Sequence, residues 1–412
     1  MSSSSAVMPP VDVAIIGAGP AGAAAAITLA EAGRRVTVVD KAEFPRDKCC
    51  GDGLTSGALR HLDQLGVRPE SVATWKSVTD VRISRPSGVE MRFPLPSGPG
   101  QFAATAERRD LDAAIVDRAT AAGADVRQGV ALEAIDLFED HVAVTTDAGP
   151  IEARWCIAAD GMWSPTRKAL GLAPSGYLGE WHAFRQYFRN VSARASEELF
   201  VWFEADILPG YVWCFPLPDG RANVGFGVLR ATHRTRDMAG LWRDLLARPH
   251  IAEIIGADAE AEDTHKAWPI PARVGELPLT AHRLFFVGDA TGACDPMTGE
   301  GIGQALQTGI GAADAIRSAA DLDPRHAPAA AAAHYAASTE RELAVDMRFA
   351  ATLGNVLKTR VGAEWSLRTA GMTGWTSRNF ARWLFEDYPR AVLGTPGRWR
   401  RDLFTQPGAY AE

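Results

Sequence analysis

The stretch that most constrains this chain is Val11-Asp12-Val13-Ala14-Ile15-Ile16-Gly17-Ala18-Gly19-Pro20-Ala21-Gly22. Its apolar run reads as a buried parallel strand, its glycines as a tight turn, and Ala21 to Ala32 as a helix. Gly17 permits the turn, Gly19 lets the backbone approach a pyrophosphate, and Gly22 lets helix and strand pack closely. The exposed amides and dipole of the helix N-terminus then suit phosphate oxygens. A second strand, Arg35 to Asp40, ends in a carboxylate 18 residues after Gly22. That is where an acid accepts from a ribose 2′-hydroxyl. A glycine turn without a ligand is the bland alternative, but strand, turn, helix, strand and acid in this order read as a dinucleotide site.

At 412 residues the chain has length for two or three domains and a large core. A formal charge of −7, with no basic run, argues against a nucleic-acid partner. Residues 1–10 lack a basic start and a long apolar stretch, and are expected to be a disordered leader. No apolar run reaches bilayer-spanning length. The five cysteines show neither CxxC spacing nor a disulfide framework, so a cytoplasmic setting is expected. With no GxSxG elbow, no HExxH and no histidine cluster, hydrolase and metal chemistry are unsupported.

After Asp40 comes a loop dense in glycine and charge, residues 41–54, and then a helix, Ser56 to Leu65. Val78–Arg85 and Val89–Phe93 read as a hairpin. A helix opens at Glu107-Arg108-Arg109-Asp110, and strands are expected at 124–128 and 131–137. Trp155 to Gly161 is another buried strand, ending in Asp160-Gly161. Alternating aromatic segments at 182–190, 198–204, 211–215 and 221–229 suggest an antiparallel sheet. Leu284 to Ala290 returns to the parallel type, and a helix starts at Thr298-Gly299-Glu300-Gly301-Ile302-Gly303. Residues 327–337 look helical, and 340–404 continue as amphipathic helices carrying Trp365, Trp375, Trp383 and Trp399. Three strand ends therefore share one logic: the glycine turn with Asp40, Asp160-Gly161, and Gly288-Asp289. One extended cofactor across the sheet, with no second dinucleotide fingerprint, favours FAD over NAD.

The ordered set GxGPAG, DxCxGDGL (residues 47–54), ERRDLD (107–112), ADGxxSPxR (159–167), YxWxFP (211–216) and GDAxxxxDPxTGEGI (288–302) resembles the geranylgeranyl reductase family of FAD-dependent oxidoreductases. That family belongs to the p-hydroxybenzoate hydroxylase-like flavoprotein superfamily. The resemblance covers roughly residues 11 to 315 and implies an α/β chain. Its parts are a discontinuous Rossmann-type FAD-binding domain (11–76, 104–172 and 281–326), a substrate-binding sheet domain (77–103 and 173–280) and a C-terminal helical region (327–412). It implies that Gly17, Gly19 and Gly22 meet the pyrophosphate, with Pro20 and Ala21 beside them. Asp40 takes the adenosine ribose, and Asp289 the ribose or ribityl hydroxyls. Gly301 and Ile302 turn helix amides toward the flavin, where negative charge develops on reduction. Arg108, Lys41, Arg46, Gly51, Gly288 and Gly299 complete the expected cofactor set. Asp160 and Gly161 are expected near the cofactor and a nicotinamide donor, NAD(P)H.

Tyr211, Trp213 and Phe215, spaced by two, share one strand face. They are expected either to pack the sheet core or to border a cavity for an apolar substrate, with Phe184, Phe188, Phe200 and Trp202 as further candidates. Cys50 occupies the family's cysteine position and is a candidate proton donor and flavin or substrate contact; small buried loop filler is the alternative. Cys49 stands where relatives often carry proline. The expected reaction is reduction of isoprenoid double bonds by hydride from reduced FAD. A monooxygenase acting on an aromatic or terpenoid metabolite ranks second, and a halogenase third, since the strict WxWxIP pattern is absent. A non-enzymatic FAD-binding sensor is the remaining class. Peripheral membrane contact through the tryptophan-rich helices is a further expectation, and the oligomeric state is unassigned.

Overall fold

A computed structural model describes residues 11–230, 237–399, 401, 403 and 405–411. The expected leader, 1–10, lies outside the described residues. The first sheet runs in the order Thr280–Ala281, Leu284–Phe286, Gly149–Ala158, Val11–Ile16, Val36–Asp40, Asp125–Gln128. Val11–Ile16 is central and pairs in parallel with both neighbours. Alternation explains its apolar sequence: Val13 and Ile15 pack toward one core, Ala14 and Ile16 toward another. The first core lies under the helices Pro20–Glu31, Arg108–Ala121 and Ile302–Ser318. The second is closed by Leu132–Leu137 and Val142–Thr146, which extend the sheet antiparallel from Gly149–Ala158. The five mutually parallel strands, Leu284–Phe286 through Asp125–Gln128, deliver their carboxyl ends to one edge, where α/β sheets bind ligands.

The second sheet runs Glu260–Ala261, Trp181–Arg189, Arg221–Leu229, Tyr211–Leu217, Leu199–Trp202, Asp80–Ser84, Glu90–Pro94, with Lys266–Ile270 also on Trp181–Arg189. Its longest ladders are antiparallel, and Leu199–Trp202 joins Asp80–Ser84 in parallel. Asp219 and Gly220, both at positive φ, make the tight turn between Tyr211–Leu217 and Arg221–Leu229. The far face carries Val212, Cys214, Val224 and Phe226 under the helices Met238–Ala247 and Pro249–Ile255. Phe184, Phe188, Phe200 and Trp202 belong to that same core. This corrects the expectation that they add to the cavity wall: strand alternation and register put them on the face opposite Tyr211, Trp213 and Phe215.

A small sheet of Gly53–Thr55, Ala103–Thr105 and Lys76–Ser77 lies between the two large ones. Beyond Ile302–Ser318 the helix Ala327–Thr339 is fastened to the first sheet by Tyr335, which is fully buried and donates to the Phe286 carbonyl at 2.9 Å. It passes through a π-helical turn, Glu340–Ala344, into Val345–Leu357, followed by Arg360–Ala370 and Gly374–Leu384. Among the described residues no helix is long and apolar enough to cross a membrane, and no disulfide is present: all five cysteines are free.

Candidate functional site

The glycine turn is formed by contacts that leave no room for side chains. A Cβ on Gly17 would lie 2.4 Å from the Ala159 carbonyl oxygen, and one on Gly22 would lie 1.9 Å from the Gly17 oxygen. Gly17 also sits at φ +101°, where L-residues are strained. The helix that follows begins at Gly19, with Pro20 in its first turn, no side-chain cap and no acid nearby. Its first amides are thus left for an incoming anion. The Arg46 guanidinium stands 3.7 Å from the point where a Gly19 Cβ would be, and pairs with Asp112 at 3.0 Å. Asp40 ends its strand beside the turn, accepting from the Ala18 amide at 2.7 Å and the Ala42 amide at 2.8 Å. A carboxylate oxygen has a second lone pair, which leaves acceptor capacity for ribose hydroxyls. Lys41 is exposed just beyond it.

At the next strand ends, Asp160 accepts from the Thr166 amide at 2.8 Å through Oδ2, while its buried Oδ1 has no partner. Gly161 turns the chain at φ +78°. Gly288 donates to Thr308 at 2.9 Å, with Ala21 packed close against it. Asp289 accepts from the Cys294 thiol at 3.4 Å. The Ile302–Ser318 helix starts at Gly301, again with no side-chain cap and no acid in its first turn. Gly299, at φ +74°, lies within contact range of Ile270. An uncapped helix after the glycine turn, a second uncapped helix at Gly301, an orphaned carboxylate oxygen and a guanidinium over the glycine turn together fit a long dinucleotide carrying two phosphates.

The loop 47–53 is shaped by the second sheet. Arg185, fully buried, holds Asp47 at 2.6 Å and Asp263 at 3.1 Å. Lys48 lies 3.3 Å over the Trp268 ring; burial lowers its amine to about 8 against the pull of Asp289. The Asn223 amide donates to the Cys50 carbonyl at 2.8 Å and to Asp52 at 2.7 Å. Asp52, at φ +64° and fully buried, also accepts from Tyr187 at 2.7 Å and the Arg108 amide at 3.2 Å. Burial pushes its carboxyl up to about 7, partly offset by the Tyr187 and Asn223 hydrogen bonds. Arg108 forks onto Asp112 at 2.7 and 2.8 Å and reaches the Cys50 sulfur. Burial raises the Cys50 thiol to about 12, against the Arg108 charge, so it stays protonated at neutral pH.

Tyr211, Trp213 and Phe215 face this loop. The Trp213 indole lies 3.4 Å and the Phe215 ring 3.0 Å from the points where side chains on Gly51 and Gly53 would begin. Trp213 also packs against Gly225, where a Cβ would lie 2.3 Å from its ring, and donates to Asn223 at 3.0 Å. Tyr211 donates to the Thr298 carbonyl, tying the aromatic face to the segment before Gly301. Val212 and Cys214, on the opposite face, pack the sheet's own core, while on this face Trp213 is buried and Phe215 also packs against the cluster around Val81, Ile83 and Phe93. Sequence reasoning missed Lys48, Tyr187, Asn223, the buried carboxyl of Asp52 and the half-buried Glu300. Asp52 and Glu300 stand inside the quoted DxCxGDGL and TGEGI patterns, which is the signal that could have found them.

The model of the FAD binding domain family matches residues 10–319. A menaquinone reductase of Mycolicibacterium smegmatis is 34% identical, over 81% of this chain and 84% of its own length. Digeranylgeranylglycerophospholipid reductase 2 of Methanopyrus kandleri is 31% identical, over 76% of this chain and 78% of its own. The crystal structure of a geranylgeranyl bacteriochlorophyll reductase-like protein from Thermoplasma acidophilum superposes with a TM-score of 0.78. It is 22% identical and covers 95% of this chain and 100% of that one, a likeness of fold. The expected cofactor and fold class are thereby met: the chain belongs to the geranylgeranyl reductase family and is an FAD-dependent oxidoreductase.

Proposed function

We propose that this oxidoreductase adds two hydrogens across a carbon–carbon double bond of an apolar, prenyl-bearing substrate. The observation that carries the reading is the aromatic face of Tyr211, Trp213 and Phe215, set at close range against the loop at Gly51 and Gly53, where the absence of side chains leaves the rings as the lining. Apolar surface removed from water contributes about 25 cal/mol per Å². A hydrocarbon chain gains from such a wall, whereas a small polar metabolite needs donors that it lacks. The digeranylgeranyl group in one relative's name is a chain of this kind.

In this reading the glycine turn with Arg46 binds the pyrophosphate, Asp40 and Asp289 bind hydroxyls, and the Gly301 helix end favours negative charge on the reduced ring. Bound FAD supplies a hydride, and NAD(P)H is the donor that we assign to its reduction. The protein's task is positioning and the exclusion of water. The hydrogen bonds on Asp52 keep the loop in one conformation, and the aromatic rings keep the double bond dry. The test is a single turnover: reduce the flavin-loaded enzyme anaerobically and add prenyl substrates. Flavin reoxidation with two hydrogens gained by mass supports the reading. Inert prenyl substrates, with oxygen consumed and oxygenated product formed, would instead establish a monooxygenase.

We also infer a bilayer surface as the place of work, on the cytoplasmic side. Val361, Trp365, Met372 and Trp375 are 59–71% exposed on two successive helices and the turn between them, which carries Met372. Between Ala350 and Phe380 stand Lys358, Arg360, Arg368 and Arg378 against one acid, Glu364, which is engaged by Arg85 and Ser87. Exposed tryptophan with cations suits an anionic lipid surface. Flotation with phosphatidylglycerol vesicles should carry the protein upward, and Trp365→Ser with Trp375→Ser should reduce the floated fraction. Native protein left wholly at the bottom would end this part of the reading.

A further inference from the structure

A double-bond reduction needs a proton as well as a hydride, and the site contains one carboxyl whose surroundings differ from all its neighbours. Glu300 directly precedes the Gly301 helix start. Its main chain is pinned at both ends: its amide donates to Thr298 at 3.3 Å, and its carbonyl accepts from the Asp295 amide at 2.7 Å. The side chain is thereby sent toward the loop, with Oε1 3.7 Å from the point where a Gly53 side chain would begin. The Phe215 ring closes on that same point from the other side. The carboxyl and the aromatic wall therefore meet at Gly53, and Cys50 and Tyr211 are within electrostatic reach.

Every other acid in this cluster is engaged. Asp295 accepts from Arg390 at 2.7 Å and from the Met297 and Thr298 amides at 2.7 and 2.8 Å. Glu386 accepts from Thr55 at 2.9 Å, Gln304 at 2.8 Å and Arg390 at 3.4 Å. Asp52 has the three donors already described. Among the described residues, none hydrogen-bonds the Glu300 carboxyl. The charged groups acting on it are the acids Glu386 and Asp295 and the cations Arg390 and Arg108. Arg390 is committed to Asp295 and Glu386, and Arg108 to Asp112. A carboxyl so placed favours its neutral form, and burial, Glu386 and Asp295 raise it to about 8. The alternatives are poorer acids. Cys50 is held near 12, and Tyr211 has its hydroxyl on the Thr298 carbonyl and its phenol pushed upward by burial.

We propose that Glu300 is the catalytic acid, donating its carboxyl proton to one carbon of the substrate double bond while the other carbon receives the hydride. The inference rests on the double-bond reduction proposed above. In the step the alkene π bond and the Glu300 O–H bond break, and two C–H bonds form. The two electrons come from the reduced flavin, which becomes oxidised, and the Glu300 carboxylate left behind takes a proton from water.

The experiment compares native enzyme, Glu300→Gln and Glu300→Asp, each loaded with FAD. Infrared spectra of the proteins at pH 6 to 9.5 come first. The native-minus-Gln difference should hold a protonated-carboxyl band at pH 6 that disappears as pH rises through about 8. Prenyl-substrate affinity and anaerobic single turnover follow. The expected result is unchanged affinity, turnover of the Gln variant lower by roughly 100-fold or more, and partial recovery in the Asp variant. Cys50→Ala should fall by less than tenfold. Absence of the infrared band, or a Gln variant within threefold of native turnover, would overturn the assignment while leaving double-bond reduction standing. Native enzyme that reduces no prenyl substrate would overturn the parent reading, and this inference with it, even if the band is present.

Discussion

The two glycine-bearing loops that frame the site, residues 17–22 and 47–53, hold their shapes by different means. In the first, the tightest approaches are to main chain: the Gly17 amide donates to the Val39 carbonyl at 2.8 Å, and the Gly22 Cα faces the Gly17 oxygen. In the second, the partners are side chains of the other sheet, Arg185, Tyr187 and Asn223, which lie 135 to 173 positions away in sequence. The first loop is part of folding the nucleotide sheet. The second takes its final shape only when the two sheets meet. Damage to the first should therefore cost both fold and FAD, whereas damage to the second should leave the first sheet and its cofactor in place.

Gly22→Val is the harshest test of that contrast. A Cβ at 1.9 Å from a backbone oxygen cannot be absorbed by a rotamer change, so the helix must leave the strand. We expect loss of more than about 3 kcal/mol and purified protein without flavin absorbance. A yellow, stably folded Gly22→Val protein would remove the distinction between the loops. Asp52→Ala ranks next. It leaves Tyr187, Asn223 and the Arg108 amide as buried donors without an acceptor, each costing about 1 kcal/mol or more. It also puts alanine at positive φ, for about 1 kcal/mol further. The expected loss, about 4 kcal/mol by urea unfolding, should come with retained FAD. Tyr187→Phe removes one donor and should cost about 1 kcal/mol, with flavin content unchanged. Equal flavin loss in all three variants would mean that the second loop is as much a part of the nucleotide fold as the first.

The same contrast explains what was legible in the sequence. Residues 11–40 announce themselves because strand, turn and acid are consecutive, and the pairing of Val11–Ile16 with Val36–Asp40 completes them. The alternation of Tyr211, Val212, Trp213 and Cys214 was equally legible as two sets. Which set faces the site was not, because facing is fixed by the helices 238–255 packed on the far side. Phe184 and Phe200, open candidates for the wall in the sequence, lie on the core side on that account. Asp52 looked like one more polar residue of a glycine loop, since the residues that bury and satisfy it come from distant strands. Glu300 was hidden among the glycines of its own motif, and its isolation depends on Arg390 being taken up elsewhere, 90 residues further on.

The smallest effect in the comparison is one of slope. Burial holds the Asp52 carboxyl near 7 in the folded chain, against an ordinary value of 3.8. Between those values the folded state keeps a proton that the unfolded state has released, so stability falls as pH rises. This contribution is complete below about 3.8 and gone above about 7. Asp52→Asn removes the titration, and asparagine tolerates the positive φ. Glu300 and Glu386, raised in the same direction, are present in both proteins and cancel in the difference. Urea unfolding from pH 4.5 to 7.5 should therefore give native protein a steeper decline than Asp52→Asn, by at most about 1.4 kcal/mol per pH unit. Parallel pH curves would mean that Asp52 is ionised in its buried setting. Its hydrogen bonds would then form a charged clamp on the second loop, and Tyr187→Phe should cost more than the neutral-bond figure given above.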